Sequence, residues 1–170
     1  MGGKTNTVDL GRLGLSSGEA ASLTPSVALD PIQLGGQRYT APGAMADTRV
    51  DVSRTTTGYA LRLRYGIRLE GPCMRCLEDA GHELAIDARE VDQPGGGDDL
   101  RSPYLDGDEL DVRAWARDAL VLALPVRILC TAECRGLCAI CGANLNKDPE
   151  HAHERDPDPR WAKLSELKLD

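Results

Sequence analysis

Six cysteines and a histidine pair constrain this chain more than any other feature. The cysteines fall as Cys73-x-x-Cys76 and Cys130-x-x-x-Cys134-x-x-x-Cys138-x-x-Cys141, and His151-Ala152-His153 follows. Two residues between thiolates let one tight turn present both sulfurs to a single ion. Thiolate and imidazole are the usual donors of structural zinc, and two tetrahedral sites need eight of them. The expected ligands are therefore Cys73, Cys76, Cys130, Cys134, Cys138, Cys141, His151 and His153, with two zinc ions per chain as the cofactor. Gly142, directly after Cys141, can take the backbone angles that let amides turn back toward sulfur. His82 is the only other histidine and the natural substitute if one of the eight is not a ligand.

Two other readings of the cysteines stand beside zinc. One is buried free thiols with surface histidines. The other is a thioredoxin-like redox pair at Cys73 and Cys76, which requires a strand leading into a helix whose N-terminus stabilises the thiolate. Here Cys73 follows Gly71-Pro72 at the end of one strand-like segment and precedes another. Disulfides are disfavoured in a reducing compartment. A cytoplasmic location is expected, because Met1 to Asn6 contains no apolar h-region and no apolar run nears the roughly 20 residues of a membrane span. Gly2 invites a thought of myristoylation, but Asn6 stands where Ser or Thr is wanted. A membrane partner is not expected.

The folding pattern is clearest in the middle of the chain. Tyr59, Leu61, Leu63, Tyr65, Ile67 and Leu69 alternate with Ala60, Arg62, Arg64, Gly66 and Arg68, which predicts a half-buried strand with a cationic outer face. Val50 and Val52 begin the pattern earlier, and Leu84, Ile86 and Ala88 resume it after the first cysteine pair. The expectation is a three-stranded antiparallel meander with Cys73 and Cys76 at a hairpin tip. Asp111 reads as the N-cap of a helix of about a dozen residues. Its stripe is Val112, Trp115, Ala116, Ala119, Leu120 and Ala123, and Pro125 stops it. The stripe is expected to pack on the meander. Asp158 and Pro159 predict a last helix with Trp161, Leu164 and Leu167 on one face.

The fold class is thus α+β: a small antiparallel meander with one packed helix, a C-terminal zinc-knuckle segment and a short terminal helix. Three parts are expected. Residues 1–48 form short strands or irregular chain, with a helical turn or two over Ser16 to Leu23. Residues 49–129 form the sheet and helix core, including an exposed, mobile acidic loop at 93–108. Residues 130–170 carry the knuckle and the last helix. With no Phe, four Tyr and two Trp, the core must be mainly aliphatic, and metal is a plausible supplement.

No Gly-rich phosphate loop, Gly-x-Ser-x-Gly elbow or HExxH helix is present, so no enzyme and no small-molecule substrate are expected. The acids at Asp98, Asp99, Asp106, Asp108 and Glu109 read as a solvated stretch. A net charge of −7 and a pI near 5.0 argue against a general polyanion binder. One segment runs the other way: residues 49–75 carry six arginines against Asp51 and Glu70. Arg62, Arg64 and Arg68 share one sheet face and are candidate contacts to RNA phosphate, or else an ordinary solvated face. No exposed aromatics interleave with them to stack bases.

Several of these motifs together resemble the YceD family, the large ribosomal RNA subunit accumulation proteins. The resemblance rests on Cys73-Met74-Arg75-Cys76-Leu77, the helix end Leu122-Ala123-Leu124-Pro125, and the run from Cys130 through Cys138-Ala139-Ile140-Cys141-Gly142 to Asn146. The closing Asp158-Pro159-Arg160-Trp161-Ala162-Lys163-Leu164 also matches, so the likeness spans roughly residues 49–168. In that family the last ligand pair is commonly Cys-x-Cys, whereas here it is His151-Ala152-His153, which keeps the tetrahedral demand with less negative charge. The resemblance implies a role in accumulation or processing of large-subunit (23S) rRNA, with a large-subunit precursor, rRNA or ribosomal proteins as partners. A zinc-bearing protein-interaction adaptor without RNA contact is the alternative, and a nuclease is a distant third. For the ligand sets, the favoured pairing is Cys73, Cys76, Cys130 and Cys134 around one ion and Cys138, Cys141, His151 and His153 around the other. Pairing Cys130 and Cys134 with Cys138 and Cys141 stays open.

Overall fold

A computed structural model describes residues 7–153; the expected terminal helix with Trp161, Leu164 and Leu167 lies outside them. The strands, in chain order, are β1 (Thr7–Asp9), β2 (Ala20–Leu23), β3 (Ser26–Ala28), β4 (Ile32–Leu34), β5 (Gln37–Tyr39), β6 (Met45–Asp47), β7 (Arg49–Arg54), β8 (Tyr59–Pro72), β9 (Asp79–Asp92), β10 (Leu105–Asp106) and β11 (Glu109–Asp111). Among the described residues one α-helix, α1 (Val112–Ala123), is present, and it follows β11 directly. The molecule is α+β, built almost entirely from antiparallel pairs around that helix.

The alternating segment forms the central strand. Tyr59, Leu61, Leu63, Tyr65 and Leu69 are buried and Ile67 packs partly buried against the same core, while the residues that alternate with them face outward. β7, β8 and β9 pair in sequence order, Val52 opposite Leu61 and Tyr65 opposite Ile86, so the expected meander is present. It gains a fourth strand at its edge, because β2 pairs with β7. This corrects the helical turns expected over Ser16 to Leu23. Gly18 sits at φ 88°, its amide bonds Arg54, and Ala20–Leu23 then runs extended along β7. Long-range pairing overrides a weak local preference there.

α1 begins where the sequence placed it. The Asp111 carboxylate accepts the Ala114 amide at 2.9 Å, which satisfies one of the orphan donors of the first turn. Val112, Trp115, Ala116, Ala119 and Leu120 are buried, and only Ala123 at the end of the stripe is exposed. Tyr65 of β8 donates its hydroxyl to the Ala116 carbonyl at 2.6 Å and locks helix to sheet.

The acidic loop, exposed at residues 94–100 and 106–108, is anchored between those stretches. Ser102 and Leu105 are buried, and Tyr104 stacks on Trp115. Asp92 explains the anchoring: its carboxylate is buried and accepts the Ser102 amide at 3.0 Å and Arg101 Nε at 2.9 Å. β10 and β11 then close a small sheet with β1.

The β4–β5 hairpin lies against the far end of β8. Thr40 and Glu70 exchange both backbone hydrogen bonds, at 2.8 and 2.9 Å. Tyr39 is fully buried over Gly71 and donates its hydroxyl to the Pro72 carbonyl at 2.7 Å. The N-terminal third thereby braces the residue that precedes Cys73.

Candidate metal centres

Cys73 and Cys76 sit on the turn between β8 and β9. Cys73 N–H donates to the Glu78 carbonyl at 2.7 Å, and Leu77 N–H returns to the Cys73 carbonyl at 3.0 Å. Cys138 and Cys141 repeat this ring: Cys138 N–H donates to Ala143 at 2.8 Å, and Gly142 N–H returns to Cys138 at 2.8 Å. The fifth residue of each turn is left-handed, Leu77 at φ 63° and Gly142 at φ 74°. Glycine takes that conformation freely; Leu77 takes it at some strain. The two loops are one supersecondary unit used twice, and each aims amides at sulfur. Ile140 N–H, for example, points to Cys138 Sγ at 3.5 Å.

The chain after α1 supplies the remaining thiols of the first set. Met74 N–H donates to the Ile128 carbonyl at 3.0 Å, and Ile128 N–H reaches Met74 Sδ at 3.2 Å, which fixes the path into Cys130. Arg75 donates to the Cys134 carbonyl at 2.7 Å. Cys73 Sγ then lies 3.7 Å from Cys134 Sγ, and Cys76 Sγ 3.5 Å from Cys130 Sγ. Four sulfurs about 2.3 Å from a central zinc stand about 3.8 Å apart, so the cage matches a tetrahedral ion. Cys73, Cys76 and Cys134 are buried and Cys130 is partly so.

The second set gathers Cys138, Cys141, His151 and His153, with all donor atoms within 4.8 Å of one another. Cys141 Sγ is 3.1 Å from His151 Nε2 and 3.2 Å from His153 Nε2, and the two Nε2 atoms are 3.0 Å apart. Cys141 and His153 are exposed, so this centre lies at the surface. His151 Nδ1 faces the Asp148 carboxylate at 3.5 Å, which orients the ring to offer Nε2. The structure thus assembles two groups of four, divided as the favoured pairing has them. His82, opposite Leu69 in the β8–β9 ladder, belongs to neither.

Electrostatics at the cages fit a cation. Burial pushes the Cys73 thiol up, but the amides of Cys76, Arg75 and Cys130 outweigh it and bring the group down to about 6. Burial pushes its neighbour Cys76 up to about 12. Four thiolates cannot share that volume unaided, and a divalent ion is what would let all four ionise. The amides of Cys141 and Ile140 hold Cys138 down to about 6. A four-coordinate cage of protein donors also leaves no ligand position for a substrate.

The arginine face differs from its sequence portrait. Arg62 holds Asp87 through two nitrogens at 2.8 and 2.5 Å, Arg64 holds Asp51, and Arg68 lies between Glu70 at 3.1 Å and Glu83 at 3.4 Å. Counted across the register, the outer face presents Arg49, Arg62, Arg64, Arg68 and Arg89 against Asp51, Glu70, Glu83 and Asp87. On that face five arginines meet four carboxylates, and two of the four, Glu83 and Asp87, come from β9, which counting over residues 49–75 leaves out.

Sequence reasoning missed the residues that join the two cages. Glu78 accepts Lys147 Nζ at 2.6 Å and Asn144 Nδ2 at 3.2 Å, so the loop of the second centre is tied to the turn of the first. The only sequence trace is the polar run Asn144-Leu145-Asn146-Lys147 after the last cysteine.

The fold and its two donor cages define a class: a small α+β protein in which paired knuckle turns cross-link sheet, helix and tail. Within that class, the chain belongs to the family described as large ribosomal RNA subunit accumulation protein YceD, whose match covers residues 61–168 and contains all eight donors. A Mycobacterium tuberculosis protein, described as uncharacterized, is 30% identical over 95% of this chain and 80% of its own length. A maize protein named large ribosomal RNA subunit accumulation protein YCED homolog 1, chloroplastic, is 28% identical over 81% of this chain and 59% of its own length. An Arabidopsis protein of the same name is 32% identical over 35% of this chain and 19% of its own length. No solved structure matches. Among the described residues, no helix is long and apolar enough to cross a membrane.

Proposed function

We propose that this protein is a zinc-stabilised, non-enzymatic factor in accumulation, processing or assembly of the large ribosomal subunit and its 23S rRNA. It would act in the cytoplasm on a subunit precursor. The observation that carries this is the family match over residues 61–168, in a chain whose eight soft donors lie inside the matched region. Zinc, at two ions per chain, is favoured by the donor chemistry: one set of four thiolates and one of two thiolates and two imidazoles. Closed cages point to a structural rather than a catalytic metal. The test is deletion of the gene with measurement of mature 23S against small-subunit rRNA, beside co-sedimentation of the protein with immature large-subunit particles. A normal subunit ratio in the deletion strain removes the ribosomal role.

Direct RNA contact through Arg62, Arg64 and Arg68 is the narrower form of this reading. Each of the three already holds a carboxylate, so phosphate would have to displace Asp87, Asp51 or Glu70. That pairing favours the second reading, an adaptor that reaches the particle through ribosomal proteins. Changing all three to Ala separates them. Weaker association with a shallower salt dependence, by roughly one unit of slope for each phosphate no longer neutralised, supports direct contact. Unchanged association in a folded variant supports the adaptor, as does association that survives RNase.

A further inference from the structure

Asn146 belongs by position to the second cage and by contact to the first. It lies midway between Cys141 and His151 in the loop that the second set closes. Its Nδ2 nevertheless points at Cys134 Sγ of the first set, at 3.4 Å. The orientation of the amide is fixed on chemical grounds. Arg135 N–H, at 2.7 Å from Oδ1, can only donate, so the oxygen must face it and the NH2 must face sulfur. The second Nδ2 hydrogen goes to Asn144 Oδ1 at 2.9 Å, leaving the group fully partnered.

We propose that Asn146 is a positioning residue for the first metal centre, carried on the loop of the second, so that the two centres load metal cooperatively. This rests on the two-zinc reading above. The physical argument has two parts. A ligand thiolate that accepts a hydrogen bond from the surrounding shell is oriented and partly neutralised, and losing such a partner typically weakens metal binding about 10–100-fold. The partner must itself be held in place. With metal in the second cage, residues five positions either side of Asn146 are pinned to one point, and Leu145 N–H to the Gly136 carbonyl at 2.9 Å completes the brace. Without that metal, the loop must be ordered when the first centre forms, and the first centre binds more weakly. Linkage makes the effect mutual: metal in the first cage tightens the second by the same factor.

Cobalt(II) titration of the full chain, followed by zinc competition against a chelator, reads both centres. The four-thiolate and two-thiolate sites differ in thiolate-to-cobalt charge transfer and in their visible bands. Asn146→Ala is expected to weaken the first centre about 10–100-fold while the second centre still forms. Emptying the second centre with Cys141→Ser and His153→Ala should weaken the first by about 5-fold or more. In the Asn146→Ala background the same pair of changes should alter the first centre less than about twofold. Asn146→Asp guards against a folding artefact: it keeps the acceptor for Arg135 N–H and removes the Nδ2 donor to Cys134 Sγ and Asn144 Oδ1, so it should weaken the first centre at least as much as Ala. A first centre indifferent to the second overturns the coupling, and effects that multiply in the combined variant overturn Asn146 as the residue that carries it. Absence of any four-thiolate cobalt spectrum in the wild-type protein overturns instead the two-zinc reading beneath it.

Discussion

Two glycines of β8 should respond oppositely to the same substitution. A Cβ at Gly71 would lie 2.5 Å from Tyr39 Cδ1, 2.7 Å from the Arg38 carbonyl oxygen and 2.9 Å from Tyr39 Cε1. The Tyr39 ring is buried and the Arg38 contact is backbone, so neither can move freely. Forcing a methyl into such packing costs about 1–3 kcal/mol. Shifting Tyr39 also breaks its bond to Pro72, worth about 1 kcal/mol. Gly71→Ala should therefore destabilise the protein by about 2–4 kcal/mol. Gly66 lies in the same strand, and a Cβ there meets only the Leu84 carbonyl oxygen, at 4.0 Å. Gly66→Ala should leave stability unchanged or raise it by up to about 1 kcal/mol, through reduced freedom of the unfolded chain. Urea unfolding of the zinc-loaded variants at neutral pH gives the comparison, with the midpoint moving and the slope unchanged. Because Pro72 precedes Cys73, Gly71→Ala should also speed zinc release from the first centre to a chelator. Equal midpoints for the two variants would refute the claim that the β4–β5 hairpin braces the metal turn.

The two cages should fail differently. Structural zinc is worth on the order of 10 kcal/mol, so emptying either centre should be visible. Cys76→Ser is expected to expose amides of residues 59–69 to hydrogen exchange, because its cage ties strand tip to the segment after α1; Cys141→Ser should expose mainly residues after 135, and equal exposure of β8 in both contradicts the division. Asp51 supplies a pH test. The Ser22 hydroxyl, Arg49 and Arg64 hold its carboxyl well below the usual range, so its contribution to stability is fully present above about pH 4 and drains away as pH falls through the lower folded value. Its carboxyl carbon shift should stay flat between about pH 7 and 4 in the folded protein, and a midpoint near 4 would contradict that environment.

What the sequence disclosed was what depends on neighbours in sequence. β8 announces itself because every second residue must enter the core, and α1 because Asp111 and the stripe from Val112 obey helical spacing. The cysteine turns are equally local. What stayed hidden depends on distant pairing. β1 and β2 are three- and four-residue strands whose partners, β11 and β7, lie elsewhere in the chain, so no periodicity accumulates within them. Tyr39 over Gly71 could not be read for the same reason. The carboxylates that occupy the arginine face come partly from β9, and a tally of charge along one segment misses them. Residues 101–105 resemble loop by composition, yet Asp92 and Trp115 recruit them to the core through contacts that composition does not encode.

The first cage also has a consequence for how the chain reaches its native state. Cys76 and Cys130 stand 54 residues apart, and Cys73 and Cys134 stand 61 apart, with the β8–β9 hairpin and α1 between them. Before those elements dock, the nearest four thiolates are Cys130, Cys134, Cys138 and Cys141, all within twelve residues of flexible chain. Closing that short span costs less entropy than closing the long one, by about 1–2 kcal/mol, so on the two-zinc reading an emerging or denatured chain that meets zinc is expected to capture it first in this non-native quartet. Native ligation would then wait on thiolate exchange. On that reading, metal supplied early would hinder folding and metal supplied late would act as a clasp; refolding should be faster when zinc is withheld until the sheet and helix have formed.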